Sequence, residues 1–493
     1  MQLHKSNQFC HDLLRFDTKY AKVLSNIVMA LSSYESSMSV IGLSESPIFW
    51  YQYSSISDIS AYLSANFKDN KSLQASVRSH LEAYYPYSDW SKQGIRLQTD
   101  VTSLIKRHSE CLSERQYVYV PNNLIAKNKP LDVGYGMSST HISLDDGWSL
   151  PVVVKRLGIS DNACQVGVEG LQALMLENPF KEAPLVRHTA DRYYGQAAFL
   201  SPLHSIDNLV NIVALRHGSK IWTPALPKRA KTDSIGVQGA PCIFGDCFYL
   251  IEKTQVKTYK RKEQSYQVEQ RSIFDHKADE MLVFEGQTRK GRGLIIELYR
   301  WNDLLKRSKN GHSMKDKPVD LIAVRVRDAE TKEKVFDRPL FIAACGQHKS
   351  QVSLKMVYED YRHRYDIEPS YRFAKQKLML DKFQTPDVEH LDNWLIIVQL
   401  AQWLLFTAAN EVTHQPKKWQ KYADKVDDDK PRLSIAQTRK AAQSLFLTFD
   451  PTPFLPKISN KGKGRLKGQS QVPRKRFSIN RKIKERLKKH EIT

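Results

Sequence analysis

Four side chains of different chemistry, Tyr361, Arg364, Glu368 and Lys375, stand at offsets of 0, 3, 7 and 14. At about 100° per residue these fall at roughly 0°, 300°, 340° and 320° around a helix, a sector of about 60°. One carboxylate, two cations and a phenol on one face are what a site would need to hold a divalent cation beside a phosphate backbone. The alternative is the solvated face of a basic helix, a common use of charge. From average residue usage, a chance match to the pattern in this chain is about one per cent or less. Pro369 follows Glu368 directly, removes an amide donor and crowds the carbonyl of Tyr365. A kink or a new helical start is expected there, with Tyr361, Arg364 and Glu368 aligned ahead of it and Lys375 beyond.

The spacing Y-x2-R-x3-E-x6-K, within the run YRHRYDIEPSYRFAKQK from Tyr361 to Lys377, resembles the signature of DDE transposases of bacterial insertion sequences, the insertion-sequence-4 group and its relatives. The resemblance implies Glu368 as the third metal-binding carboxylate of a catalytic site. It implies Arg364 and Lys375 on DNA phosphates near an element end, and Tyr361 assisting that end or a displaced base. Such chemistry uses carboxylates converging on two divalent ions, one activating water or a 3′-hydroxyl and the other stabilising the leaving oxygen. Magnesium (two ions, with manganese as a substitute) suits it, because it takes oxygen ligands and keeps waters for substrate phosphates.

Two aspartates complete the set that the resemblance requires. Asp100 lies in LQTDVTSL, which resembles the family's D-x-T segment, with Thr102 in the matching place; the bland reading is an aspartate ending a strand. Asp132, Asp145 and Asp146 are rivals, although DDG at 145–147 reads better as a hairpin turn. Asp191, in ADRYYG, stands where an apolar strand ends and a helix begins, a usual place for functional groups in α/β sheets. Its bland reading is a helix N-cap. The order Asp100, Asp191, Glu368 leaves gaps of 91 and 177 residues, the longer one taken up by an insertion. The resemblance covers roughly residues 95 to 410. Relatives that cut through a DNA hairpin stack a tryptophan on a flipped base; here the corresponding strand carries Phe341, read as core, and Trp222 and Trp301 also read as core.

The elements that must position these residues follow from periodicity. Residues 1–91 read as helical, a DNA-binding or dimerisation domain in which a helix-turn-helix is one option. Residues 92–216 read as the first part of an RNase H-like α/β core, with GIRLQTDVTSL alternating Ile95, Leu97, Thr99 and Val101 on one face. Further strands are expected at 117–120, 148–157 and 211–216, and a helix over Val168 to Met175. A mostly β insertion spans 217–336, and 337–412 returns to the core through strand 339–345 and the helix carrying Glu368. Residues 413–456 read as helical. The apolar stretch Leu391 to Ala409 contains Asn393, Gln399 and Gln402, and reads as a buried helix, not a membrane span.

Composition sets the partner class. The 493-residue chain carries +22 at pH 7 with a pI near 9.5, which points to a polyanion. Residues 457–493 form a basic tail of 14 positive against 2 negative side chains, among them Arg474, Lys475, Arg476, Arg481 and Lys482. Glycines make its first half a flexible arm, and the stretch from Arg481 to Lys489 could form a helix on DNA. The six cysteines form no CxxC or His/Cys set, which suits a reducing cytoplasm, and the start has no apolar signal core. The combined expectation is a bacterial, nucleoid-associated DNA transposase acting on double-stranded DNA, element ends and target alike, as a homodimer in a synaptic assembly. The rivals are an RNase H-like nuclease without strand transfer and a catalytically inactive DNA-binding regulator.

Overall fold

The structure is a computed structural model describing residues 5–13, 21–33, 39, 42–43, 46–48, 94–120, 130–225, 243–261, 264–288, 291–308, 311–414, 416, 433–449, 466–470 and 472–479. The chain divides into two units. One holds residues 1–89, 100–166 and 366–493, and the other holds 90–99 and 167–365. The division falls within strand β1 (Ile95–Ile105), between Thr99 and Asp100.

In the unit ending at Tyr365, a mixed sheet carries the first half of β1. Strand β5 (Val186–Ala190) runs parallel to β1, with Thr99 opposite Ala190, and β6 (Leu209–Ala214) runs parallel to β5. On the far side of β6, β14 (Leu340–Cys345), β13 (Val319–Asp328), β12 (Gly293–Leu304) and β11 (Glu280–Gln287) continue antiparallel. Strands β7 (Lys220–Pro224) and β8 (Phe244–Tyr249) form a separate antiparallel pair, as do β9 (Gln255–Arg261) and β10 (Gln264–Gln270). Strands β5 and β6 are buried throughout, as parallel strands covered on both faces must be. Helix α3 (Ala163–Leu174) leads into this unit, and short α4 (Ala197–Leu203) follows β5. Helix α5 (Leu354–His363), capped by Ser353, lays Leu354, Val357 and Tyr361 onto Ile212, Ile322 and Ile342 of the sheet.

In the other unit, the second half of β1 pairs with β3 (Leu131–Ser143), which holds β2 (Gln116–Tyr119) and β4 (Ser149–Leu157) as antiparallel neighbours. Gly134 of β3 is required by close approach: a Cβ there would stand 1.9 Å from the carbonyl oxygen of Leu104. Asp145, Asp146 and Gly147 make the β3–β4 turn, as their sequence suggests. Helix α6 (Ile367–Lys377) lies beside β4. Helix α7 (Val388–Ala408) is the core of the unit, packed on β4, on α1 (Lys5–Leu13), on α2 (Ala21–Ser32) and on α8 (Ile435–Thr448). Its polar residues are internal ties: Gln399 and Trp403 both donate to the Pro151 carbonyl, at 3.0 and 2.8 Å. It is the buried helix that its polar breaks indicate, with 94% of its most apolar window inside the protein.

Three expectations need correction. The helix is interrupted before Glu368: α5 ends at His363, Arg364–Asp366 form a 3-10 turn, and α6 starts at Ile367. Glu368 and Lys375 therefore share a helix, while Tyr361 belongs to another, the reverse of the expected grouping. Pro369 falls in the first turn of α6, where its missing amide has no intrahelical acceptor to lose. Asp191 is not a helix N-cap, since Gln196 holds that position for α4.

Candidate active site

Helix α6 is fastened to β1 by two side chains. Lys375 Nζ donates to Thr102 Oγ1 at 2.6 Å and to the Ser103 carbonyl at 2.8 Å. One turn earlier, the Tyr371 hydroxyl donates to the Asp100 carbonyl at 3.0 Å. Helix and strand ascend together, so Glu368, about 4.5 Å before Tyr371 along the helix axis, stands toward the Asp100 end of the strand. Alternation places the side chains of Asp100 and Thr102 on the same face of β1, the face that Lys375 reaches. Asp100 is half-buried, and its Oδ1 accepts from the Val101 amide at 2.8 Å; Glu368 is exposed. Burial holds the Lys375 amine below the usual lysine range, with Asp381 opposing the shift. This lysine is occupied by the strand.

Beneath Asp100 lies a polar chain whose proton directions can be assigned. The Tyr371 hydroxyl has one hydrogen, given to the Asp100 carbonyl, so Ser139 Oγ, 2.7 Å away, must donate to Tyr371. Ser139 then accepts from His141 Nε2 at 3.0 Å, which leaves Nδ1 to accept from Ser149 Oγ at 3.0 Å. Burial pushes the His141 imidazolium down to about 3, with a hydrogen bond to the Ser149 backbone opposing the shift, so the ring is neutral. Ser370 Oγ, next to Tyr371, donates to the Ser149 carbonyl at 3.0 Å and accepts from Gln402 Nε2 at 2.9 Å. Strands β3 and β4 and helices α6 and α7 are thereby keyed to the backbone at Asp100. Sequence reasoning missed Tyr371, Ser139 and His141. The only signal was a histidine within a serine- and threonine-rich run.

In the other unit, Asp191 follows β5 directly. Its Oδ1 accepts from the Tyr193 amide at 2.8 Å, a local turn that holds the carboxylate at the strand's end. Asp191 is close enough to Tyr361 to act on it. Burial pushes the Tyr361 phenol up, Arg364 pulls it down, and the Asp191 carboxylate adds to the rise. The Arg364 guanidinium lies 5.5 Å from the Tyr361 ring centroid and 4.3 Å from that of Tyr365. Tyr361 is part of the sheet's apolar core, and Arg364 is 7% exposed. Beneath this end of the sheet, His188 bridges Thr99 Oγ1 at 2.8 Å and Asn211 Oδ1 at 2.9 Å, and burial lowers it to about 4. In the strand register Thr99 faces Ala190.

Carboxylate oxygens with solvent access suit a hard ion such as magnesium in chemistry. Among the described residues, no three of His, Cys, Asp and Glu are grouped closely enough to hold a metal ion. Asp132 is committed elsewhere, accepting from Arg107 Nε at 3.0 Å. Phe341 and Trp301 are core residues, each 1% exposed, as expected. Of the tail, Arg474, Lys475 and Arg476 are described, whereas Arg481 and Lys482 lie outside the described residues, as do 51–93 of the N-terminal segment. Arg476 pairs with Glu110 at 3.2 Å, and the Phe477 amide donates to the Glu110 carbonyl at 3.0 Å, so this part of the tail is docked.

No protein-family model and no curated protein matches the chain. Among solved structures, it is similar to a piggyBac transposase synaptic complex with hairpin DNA, at 9% identity and a TM-score of 0.34, over 91% of this chain and 72% of that one. A TM-score this low supports no statement about fold or activity.

Proposed function

We propose that the protein is a DNA transposase of the DDE type, with an RNase H-like core. It would bind the ends of a mobile element as a homodimer, nick them hydrolytically and transfer the freed 3′-hydroxyls into target DNA. The observation that carries this reading is the fastening of α6 to β1: Tyr371 on the Asp100 carbonyl and Lys375 on Thr102. The segment containing Asp100 and the segment containing Glu368 each resemble a motif of the family, and they are joined in the fold. The parallel β1–β5–β6 arrangement supports the same reading.

On this reading Asp100, Asp191 and Glu368 are the carboxylates assigned to two magnesium ions, although among the described residues no three such groups stand close enough to hold one. Those ions, when bound, supply activation of the attacking oxygen and stabilisation of the leaving one. The chain's own contribution is positioning. The neutral His141–Ser139–Tyr371 relay fixes the backbone that bears Asp100, and Lys375 holds the pitch of α6 against that strand. Asp191, at the end of β5, stands near the buried Tyr361.

Nicking of supercoiled plasmid in magnesium or manganese tests the reading. Replacing Glu368 with Gln should cut the nicking rate about 100-fold or more, since even residues that merely support metal ligands cost 10- to 100-fold. Nonspecific duplex affinity should stay within about twofold. Full activity in Glu368→Gln would sink the assignment. Wild-type nicking without joining of pre-cleaved ends to a target plasmid would reduce the protein to a nuclease.

A further inference from the structure

Beyond the carboxyl ends of β5 and β6 lies a cavity of about 290 Å³, lined by Arg192, Arg216, Lys306, Arg307 and His312 and, among the described residues, by no carboxylate. The four cations arrive from three places. Arg192 follows Asp191 after β5, Arg216 follows β6 by two residues, and Lys306 and Arg307 leave the end of β12. Among the described residues, none of the four Arg and Lys side chains forms an ion pair. Two of them are nevertheless held in place. Lys306 Nζ donates to the Gly195 carbonyl at 2.8 Å, and the Arg307 guanidinium lies 4.8 Å from the Trp222 ring centroid and 4.6 Å from that of Phe244. Gly195 itself is pinned, because a Cβ there would stand 2.5 Å from the Ala214 carbonyl oxygen.

Four like charges around one concavity repel one another unless an anion enters. In α/β sheets the crevice outside the carboxyl ends of parallel strands is where ligands bind. We propose that this cavity is a binding site for phosphodiester groups of a nucleic-acid backbone. The anion site rests on the geometry, and the choice of nucleic acid over a small phosphate compound rests on the function proposed above. Arg307, braced by the Trp222 and Phe244 rings, offers a planar donor suited to phosphate oxygens and loses little freedom on binding. Burial and the neighbouring Arg216 hold the Lys306 amine below the usual lysine range, a penalty that a bound anion would relieve.

The test is anisotropy titration of the full chain with a labelled duplex, at salt from about 50 to 200 mM. Arg216→Gln combined with Arg307→Gln should lower the magnitude of the log–log salt slope by about 1.8, two phosphate contacts at about 0.9 each. A charge-matched control, Lys253→Gln with Lys277→Gln, lies outside the lining and should leave the slope unchanged. An unchanged slope in the cavity variant, or an equal fall in the control, overturns the proposal. If the cavity variant misfolds, Arg192→Gln with Arg216→Gln, both exposed positions, takes its place under the same criteria. Calorimetry with inorganic pyrophosphate separates the sources. Binding lost in the cavity variant, with an unchanged duplex slope, assigns the cavity to a small phosphate compound and overturns the nucleic-acid proposal. Plasmid nicking is scored separately. A slope change without any wild-type nicking leaves the cavity standing and removes the transposase reading, and nicking without a slope change does the reverse.

Discussion

Tyr371 holds a hydroxyl between Ser139 and the Asp100 carbonyl, and each neighbour depends on it. Its replacement by Phe keeps the ring's edge contact with His141, at 5.4 Å between centroids, and removes both hydrogen bonds. The expected cost is about 1 to 3 kcal/mol in urea unfolding, because a buried hydroxyl and a carbonyl lose a partner. Nicking should fall with the metal concentration for half-maximal rate raised, a split that simple destabilisation does not produce. The buried histidines make a second prediction. Burial holds the His141 and His188 imidazoles down at about 3 and about 4, against about 6.5 for an exposed histidine. The unfolded chain therefore binds more protons below about pH 6.5, and stability present above that pH is lost as pH falls toward 4. Each histidine contributes a slope of up to about 1.4 kcal/mol per pH unit. Urea midpoints between pH 7 and pH 5 should fall, and His141→Asn should flatten the dependence by about half. A midpoint that does not move across this window would contradict the neutral, buried state of both rings.

At the scale of elements, the interruption between α5 and α6 turns Pro369 from a defect into a first-turn residue. Pro369→Ala should change the melting free energy by less than about 1 kcal/mol, from unfolded-state entropy. Relief of a proline inside a continuous helix would instead gain about 3 kcal/mol. Differential scanning calorimetry decides between them. Periodicity made most strands legible: Ile95, Leu97 and Thr99 alternate, and β12, β13 and β14 are runs of branched apolar residues. Strand β3 was not legible, because Gly134, Ser138, Ser139 and His141 are buried for close approach and hydrogen bonding, not for apolar surface. The candidate carboxylates could be read from motif spacing. Their support could not: Tyr371 and His141 are 230 residues apart in the chain, and Arg192 and Lys306 are 114 apart. A single sequence has no local signature for groups that meet only through the fold.

At the scale of the molecule, charge is concentrated at the C-terminus, where residues 457–493 carry +12 of the chain's +22. Deleting them should flatten the salt dependence of duplex binding by several units, since about 0.9 is lost per phosphate contact. Arg476 is expected to contribute least of the tail, because Glu110 already neutralises it. An unchanged slope would place the tail off the DNA backbone. The assembly of the α7 core has a consequence in time. Helices α1 and α2 end by Ser32, and the apolar helix they pack against begins at Val388, 356 residues later. At about 5 to 20 residues per second, the ribosome delivers that partner roughly 20 to 70 s after α2 has emerged. For that interval α2, which carries Ile27, Val28 and Leu31, has α1 as a native neighbour and lacks the larger surface of α7. Synthesis of this chain therefore contains a waiting period of its own, during which a chaperone or slowed translation would decide the yield of folded protein.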